Sequence, residues 1–161
     1  MLLLLSDSTN AEKTGYTPSE QELGQTLAGI IAGATGRVIV ATFASNISRV
    51  QQVIDMSLRY GRRVAIVGRS MVKNVKVARD LGYLNVDDQV LVPVNQLDQL
   101  PEREVTVICT GSQGEPTSAL VRMGQNRYPT ISVADGDTVV VSATPIPGNE
   151  AVVNRTVDNL F

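Results

Sequence analysis

The stretch Arg37-Val38-Ile39-Val40-Ala41-Thr42 has an apolar centre, residues 38–41, which is rich in β-branched residues and lies between a charged and a polar residue. A continuous apolar run of this kind, without polar alternation, is typical of a strand that is buried on both faces of a parallel sheet. Short runs of the same character predict five more strands, at residues 2–6, 63–67, 89–92, 105–109 and 138–142. The sequence therefore predicts an α/β fold with a mainly parallel β-sheet flanked by helices, in a Rossmann-like three-layer arrangement.

Segments of helical period separate these strands. Thr17, Pro18 and Glu20 fit an N-cap, a first helical residue and a capping-box acid, which predicts a helix over residues 18–32. Gly33 and Gly36 should end it. Apolar spacing predicts four further helices. The first ends with a glycine cap at Gly61 and has these residues facing inward: Ile47, Val50, Val53, Ile54 and Leu58. The second covers residues 71–81 with Val75 and Ala78 inward, the third follows Pro116, and the fourth covers residues 149–161.

The composition bounds the fold and the chemistry. A chain of 161 residues with 43% hydrophobic and 19% charged residues is expected to form one soluble domain. It contains no histidine and a single cysteine, Cys109. These counts exclude a Ser-His-Asp triad, a histidine-ligated zinc site and a disulfide within the chain.

The charge and the ends of the chain give weaker indications. A net charge of −2 requires any nucleic-acid contact to come from a local patch. The apolar run at residues 2–5 is too short for a signal peptide or a membrane span, so we expect a buried strand and the reducing cytoplasm. A buried strand at the very start and an uncapped helix at the end predict a domain excised from a longer polypeptide.

Polar loops follow five of the predicted strands, at the carboxyl ends where parallel α/β sheets collect functional groups. Their Ser, Thr, Asn and Gly residues are equally suited to capping helices, and this alternative stays open for each loop alone. Their convergence on one rim favours binding. The candidate residues are Ser45, Asn46, Arg69, Ser70, Ser112, Gln113, Gly114 and Glu115.

Other candidates are less specific. The loop from Gly111 to Pro116 resembles a phosphate cradle but matches neither the Walker nor the dinucleotide pattern. Arg69 is followed at helical spacing by Lys73, Lys76 and Arg79, which form either a solvated face or an RNA-tracking face. Cys109 is expected to be a packed thiol. Asp7 fits either a metal ligand or a loop network, and the residues alone favour the network.

Five strings, taken together, resemble a known family. They are Leu4-Leu5-Ser6-Asp7-Ser8-Thr9-Asn10-Ala11-Glu12 with its continuation Gly15-Tyr16-Thr17-Pro18-Ser19-Glu20, Ala41-Thr42-Phe43-Ala44-Ser45-Asn46-Ile47-Ser48-Arg49, Gly68-Arg69-Ser70-Met71, Thr110-Gly111-Ser112-Gln113-Gly114-Glu115-Pro116 and Ser142-Ala143-Thr144-Pro145-Ile146-Pro147-Gly148-Asn149-Glu150. In order and spacing they are similar to the β-CASP domain of ribonuclease J, a metallo-β-lactamase-superfamily ribonuclease. The resemblance covers essentially the whole chain.

The resemblance implies a domain inserted into a metallo-β-lactamase domain, with RNA in the cleft between them. Asp7 matches the acid of the first β-CASP motif, which gives it a supporting catalytic role. The zinc ligands would belong to the metallo-β-lactamase part, and motifs with histidines would lie beyond Phe161. The resemblance therefore implies no metal site and no cofactor in this chain, but zinc in the parent enzyme.

The predicted function is that of an RNA clamp in a zinc-dependent 5′-to-3′ exo- and endoribonuclease of RNA processing and decay, inactive as the isolated domain. Its expected partners are RNA, the metallo-β-lactamase domain of the same polypeptide and further copies of a homo-oligomeric parent, with no membrane. The expected location is the cytoplasm of a prokaryotic cell, or the interior of an organelle. The alternative is a stand-alone nucleotide-binding or interaction domain.

Overall fold

A computed structural model describes residues 3–6, 8, 11, 12, 14–16 and 19–161 of the chain. Its elements, in chain order, are α1 (Glu20–Gly33), β1 (Val38–Ala41), α2 (Ile47–Arg59), β2 (Arg63–Val67), α3 (Arg69–Asp80), two 3₁₀ helices (Val94–Gln99 and Glu102–Glu104), β3 (Val105–Cys109), α4 (Ala119–Gly124), β4 (Thr138–Val141) and α5 (Glu150–Asp158). Among these described helices, none has both the length and the apolar character needed to cross a membrane.

The four strands form one parallel sheet in the order β2-β3-β1-β4. Strand β1 lies between two neighbours, with Val38 opposite Thr106 on one side and Thr138 on the other. Every residue of β1 and β3 is buried, as expected for central strands that are covered on both faces. The predicted α/β fold with a parallel sheet is confirmed.

The alternation of side chains along each strand divides the core into two clusters, one on each face of the sheet. On the first face, Val38, Val40 and Ile108 pack against apolar residues of α1, α2 and α3. On the second face, Ile39 and Val107 pack against the 3₁₀ segment around Leu97 and against α4. Helices and irregular segments thus cover both faces, which gives the three predicted layers.

Two of the six predicted strands differ from the structure. The prediction at residues 2–6 is wrong: residues 3–6 form no strand and Leu3, Leu4 and Leu5 are 71–86% exposed, while Leu2 lies outside the described residues. An apolar run indicates a tendency to be buried but does not supply the neighbouring backbone that a strand needs. The run at residues 89–92 makes only one parallel bridge, Leu91 to Val64.

The start of α1 also differs. Ser19 is the N-cap, and its hydroxyl accepts a hydrogen bond from the amide of Glu22 at 3.4 Å. The predicted start at Pro18 with Thr17 as N-cap is therefore wrong, although those two residues themselves lie outside the described part of the chain. Two overlapping Ser/Thr-x-x-Glu patterns occur here, Thr17 to Glu20 and Ser19 to Glu22, and the pattern alone cannot choose between them.

The other helices agree with prediction apart from their ends. Gly61 and Gly82 follow α2 and α3 with φ of 72° and 74°, the left-handed conformation expected of glycine caps. Leu58 was expected to face inward, but it is 45% exposed, and the buried residue of that last turn is Ser57.

A buried arginine joins α1 to the sheet. The Arg62 side chain donates hydrogen bonds to the carbonyl oxygens of Ala34 (2.7 Å), Gly36 (3.0 Å) and Val105 (3.0 Å), and the residue is only 3% exposed. Burial lowers the pKa of Arg62 from its ordinary value. The guanidinium remains charged and donates to carbonyl groups at the end of α1, before β1 and in β3.

We expect Arg62→Met to lower the free energy of unfolding by about 2–4 kcal/mol, because buried carbonyl groups would lose charged donors. The matched control is Arg103→Met, since Arg103 is 73% exposed and its ion-pair contact with Glu104 is a loose 3.9 Å. This control should change stability by less than about 0.5 kcal/mol. Urea denaturation of the three proteins measures both effects, and equal losses in the two variants would contradict the assigned role.

Two glycines should respond to alanine in opposite directions. A Cβ on Gly36 would lie 2.3 Å from the carbonyl oxygen of Gly136, where backbone faces backbone. Gly36→Ala should therefore destabilise the fold by about 1–3 kcal/mol. Gly29 lies within α1 with nothing within 4 Å of its Cβ position, so Gly29→Ala should stabilise by about 0.5–1 kcal/mol. Thermal unfolding measures the signs, and a rise in Tm for Gly36→Ala would refute the packing argument.

Candidate nucleic-acid interface

A groove of about 870 Å³ lies at the carboxyl ends of β1, β2 and β3. Thr42, Gly68 and Thr110 directly follow these three strands, and each lines the groove. The side chains around them come from the start of α3, the loop before α4, α4 itself and the segment after α4. They include Arg69, Ser70, Ser112, Glu115, Ser118, Arg122, Gln125, Arg127 and Tyr128.

The floor of the groove is a tight turn between β3 and α4. Gly111 has φ of 120°, and a Cβ there would lie 2.6 Å from the Ser118 hydroxyl oxygen. The Thr110 hydroxyl accepts a hydrogen bond from the amide of Ala119 at 3.2 Å, and the Thr110 carbonyl accepts one from the amide of Leu120 at 2.9 Å. Only glycine fits this position, so the backbone brings Ser118 directly against the strand end.

Two hydroxyl groups in the groove lack partners among the described residues. They belong to Thr42 and Ser118, which are 1% and 8% exposed. Ser118 occupies the N-cap position of α4 but makes no capping hydrogen bond through its side chain. Both hydroxyl oxygens are closed off from solvent, so each leaves a hydrogen bond unmade at a cost in free energy, and a ligand in the groove would reach them only after a local shift.

The start of α3 adds backbone donors. Its N-cap is Gly68, with φ of 103°, which has no side chain to satisfy the amides of the first turn. A Cβ on Gly68 would lie 2.8 Å from the Thr110 hydroxyl oxygen, so this close approach also requires glycine. The amino end of a helix carries partial positive charge, which favours an anion near Arg69 and Ser70.

The charged side chains of the groove are mainly cationic. Arg69 and Arg127 are exposed, Arg122 is half-buried, and Glu115 is the acidic residue that lines the groove with them. The Arg122 guanidinium lies over the Tyr128 ring, 5.2 Å from its centroid. The chain as a whole carries a net charge of −2, so this is the local basic patch that an acidic chain needs for contact with nucleic acid.

Four of the predicted binding residues meet in the groove: Arg69, Ser70, Ser112 and Glu115. The sequence interpretation missed four of their neighbours, Arg122, Gln125, Arg127 and Tyr128. The available signal was Arg122 within the helix predicted after Pro116, followed by Arg127 and Tyr128 just beyond that helix. Nothing in the local pattern indicates that the chain turns back toward the strand ends at this point.

Gln113 and Gly114 are engaged within the fold. The Gln113 side-chain amide donates to the carbonyl of Thr144 at 3.0 Å and accepts from the amide of Ile146 at 2.7 Å. Gly114 has φ of 74°, and a Cβ there would lie 2.7 Å from the carbonyl oxygen of Val152. Both residues are buried and hold the loop before α5. Their observed contacts join the loop after β3 to the loop before α5 and to α5 itself. Their contact with RNA stays a prediction.

Ser45 and Asn46 lie outside this groove. Asn46 caps α2, since its side-chain oxygen accepts a hydrogen bond from the amide of Arg49 at 3.0 Å. Ser45 lines a separate surface pocket beside Ile47 and Tyr83. The capping alternative therefore applies to Asn46, and the binding role of both residues remains a prediction.

The basic face of α3 is divided between two surfaces. Arg69 lines the strand-end groove, whereas Lys76 and Arg79 line another groove of about 760 Å³ with Leu84 and Val86. Arg79 also forms an ion pair with the exposed Asp88. Lys73 is exposed. A single RNA strand that contacts all four cations of α3 would have to extend beyond the strand-end groove. RNA binding along this face of α3 stays a prediction.

Three further predictions concern the supporting acid, the absence of a metal site and the single thiol, Cys109. Asp7, the predicted supporting acid, lies outside the described residues. Within the part of the chain that the structure describes, no cluster of three or more His, Cys, Asp or Glu side chains could hold a metal ion. Cys109 is buried, and burial raises the pKa of its thiol to about 12, which agrees with a packed and unreactive group. The described residues therefore do not fit zinc.

Comparison with known proteins identifies the family. The sequence model described as "Ribonuclease J, beta-CASP domain" matches residues 35–160. The chain is 50% identical to Ribonuclease J of Mycolicibacterium smegmatis over 158 residues, which cover 98% of this chain and 28% of that protein. It is 47% identical to Ribonuclease J of Thermus thermophilus (100% and 28% covered) and 44% identical to Ribonuclease J2 of Bacillus subtilis (99% and 29% covered).

These matches also define the extent of the similarity. The chain spans about 28% of the length of the ribonuclease J relatives that it matches, so other parts of the same polypeptide are implied. The family match includes β1 to β4, the whole strand-end groove and α5. The chain therefore belongs to the ribonuclease J β-CASP family.

Proposed function

We propose that this chain is the domain that holds and positions single-stranded RNA in a ribonuclease J-type enzyme, and that it does not cleave RNA alone. The observation that carries the proposal is the strand-end groove, which is lined by Arg69, Arg122 and Arg127 beside the amino end of α3, where no side chain caps the helix. Membership of the β-CASP family supports RNA as the ligand.

The groups in the groove suit a ribose-phosphate chain. Arginine offers several donors in a planar arrangement that matches phosphate oxygens, and the first amides of α3 add neutral donors beside Arg69. The exposed hydroxyl of Ser70 can accept from a ribose hydroxyl or donate to an oxygen. These contacts would fix the position and direction of the strand without any need for base sequence.

Catalysis in the full-length protein would come from elsewhere in the polypeptide. We propose that it is the zinc-dependent 5′-to-3′ exo- and endoribonuclease that the family resemblance implies, acting in cytoplasmic RNA processing and decay. Its metallo-β-lactamase domain and other copies of the protein would be its partners. The residues of this chain would contribute by orienting the RNA, since a correctly positioned substrate lowers the entropic part of a barrier. A stand-alone nucleotide-binding domain would use the same groove, and no separate observation favours it.

We expect the purified chain neither to hydrolyse 5′-monophosphorylated RNA nor to bind stoichiometric zinc. The whole sequence has no histidine and one cysteine, which leaves carboxylates as the main side-chain ligands, and these suit harder ions better than zinc. Equilibrium dialysis with zinc and a gel assay of labelled RNA test both statements. Zinc-dependent cleavage that co-purifies with the chain through successive columns would show the proposal of inactivity to be wrong.

We expect RNA affinity to depend on the arginines of the groove. Replacing Arg69 and Arg127 with Gln should weaken binding of single-stranded RNA about tenfold or more and flatten its salt dependence by about 0.7 in log–log slope per lost phosphate contact. The double variant of Arg59 and Arg155 to Gln makes the same change in net charge at exposed positions outside the groove. It should change affinity less than about threefold, which is the range expected from a general charge effect.

A third variant separates the groove from the basic helix face. Changing Lys73 and Lys76 to Gln should leave most of the affinity and most of the salt slope in place. Fluorescence anisotropy over a range of salt concentrations compares all the variants. A large loss in this third variant, with none in the groove variant, would move the RNA onto the tracking face and refute the groove as the binding surface.

A further inference from the structure

Arg122 and Tyr128 form a cation–π pair that lines the strand-end groove. The Arg122 guanidinium lies 5.2 Å from the centroid of the Tyr128 ring, and its Nη2 donates to the carbonyl of Arg127 at 3.1 Å. In return, the amides of Arg127 and Tyr128 donate to the Arg122 carbonyl at 2.7 and 3.1 Å. The turn after α4 thus holds both side chains in one arrangement.

The pair is rigid on one side and accessible on the other. The Tyr128 ring packs against the second core cluster, which restricts its motion. Both residues are only partly buried and line the groove, so a ligand that lies there can contact them. Arginine planes and aromatic rings are the surfaces on which unpaired nucleobases stack in single-stranded RNA complexes.

Other residues of the same groove suit the sugar and phosphate, among them the exposed Arg69 and Ser70. Ser118 also lines the groove and precedes α4, and Arg122 lies four residues later on that helix. At 1.5 Å per residue, this separates the two positions by about 6 Å along the helix. A single nucleotide can span that distance, with its ribose-phosphate near Ser118 and Thr42 and its base at Arg122.

We propose that the Arg122–Tyr128 pair is the stacking platform for one nucleobase of the bound RNA. This inference rests on the proposed function, because it assigns one nucleotide to a groove that we propose for RNA. Stacking recognises the flat face that all bases share, so the platform requires a base and discriminates little among the four. It therefore fixes the register of the strand rather than its sequence.

An abasic scan tests the platform. A short single-stranded RNA is prepared as a series in which one base at a time is removed while the ribose-phosphate chain stays intact. With the unaltered chain, removal at one position should weaken binding about tenfold, and removal elsewhere less than about twofold. Arg122→Lys keeps the charge but lacks the planar group, so it should bind the intact and the abasic RNA within about twofold of each other.

Two matched variants complete the experiment. Tyr128→Phe keeps the ring, and Arg127→Lys makes the same chemical change as Arg122→Lys at a groove arginine that does not lie over the ring; both should retain the position-specific tenfold penalty. Thermal unfolding confirms that each variant is folded. If the chain binds RNA but the scan is flat, or if Arg122→Lys keeps the penalty, the platform is refuted while the groove stands. If the chain binds no RNA, the proposed function fails and the platform fails with it.

Discussion

The parallel direction of all four strands is the constraint on which the rest of the molecule depends. Since β1 lies between β3 and β4 and β3 lies beside β2, the carboxyl ends of the strands fall on one edge of the sheet. Each parallel pair needs a crossover connection, and these connections cover the two faces of the sheet. Polar residues that follow the strands are thereby collected at the edge, where the groove forms.

The glycine-rich loop after β3 has divided roles. Gly111 permits the tight approach of Ser118, and Ser112 and Glu115 line the groove. Gln113 and Gly114 instead bind the loop before α5, and the Gly114 amide donates to the Gly111 carbonyl at 3.1 Å. This loop therefore connects the groove to the segment that leads into α5. Free donors for a ligand come from neighbouring side chains and from the start of α3.

The electrostatics of the groove follow from local placement rather than from total charge. The chain has a net charge of −2, yet three arginines line the strand-end groove with one glutamate. Arg69 and Arg127 are exposed, so their attraction for phosphate should fall as the salt concentration rises, whereas the half-buried Arg122 is screened less. The buried Arg62 shows the opposite use of the same residue type, because its three hydrogen bonds all go to backbone carbonyls.

The sequence by itself determined the layers, the parallel sheet and most of the rim. A continuous apolar run such as Val38–Ala41 places apolar side chains on both faces of its strand, so both faces must be buried. A polar residue that follows a parallel strand lies at the carboxyl-end edge of the sheet, which all the strands share. Arg69, Ser70, Ser112 and Glu115 could be predicted for this reason, since each lies within a few residues of a strand end or a helix start.

Tertiary structure decided what local pattern cannot express. The leucines at positions 3–5 are exposed because an apolar run does not specify a neighbouring strand. Tyr128 meets Arg122 of α4 in the groove only because the chain turns back after that helix, and Asn46 and Gln113 are occupied by contacts with the backbone. Spacing along the chain determines on which face of a helix or strand a side chain lies. The residue that it contacts there depends on how distant segments pack, and this packing is defined only when the sheet is assembled.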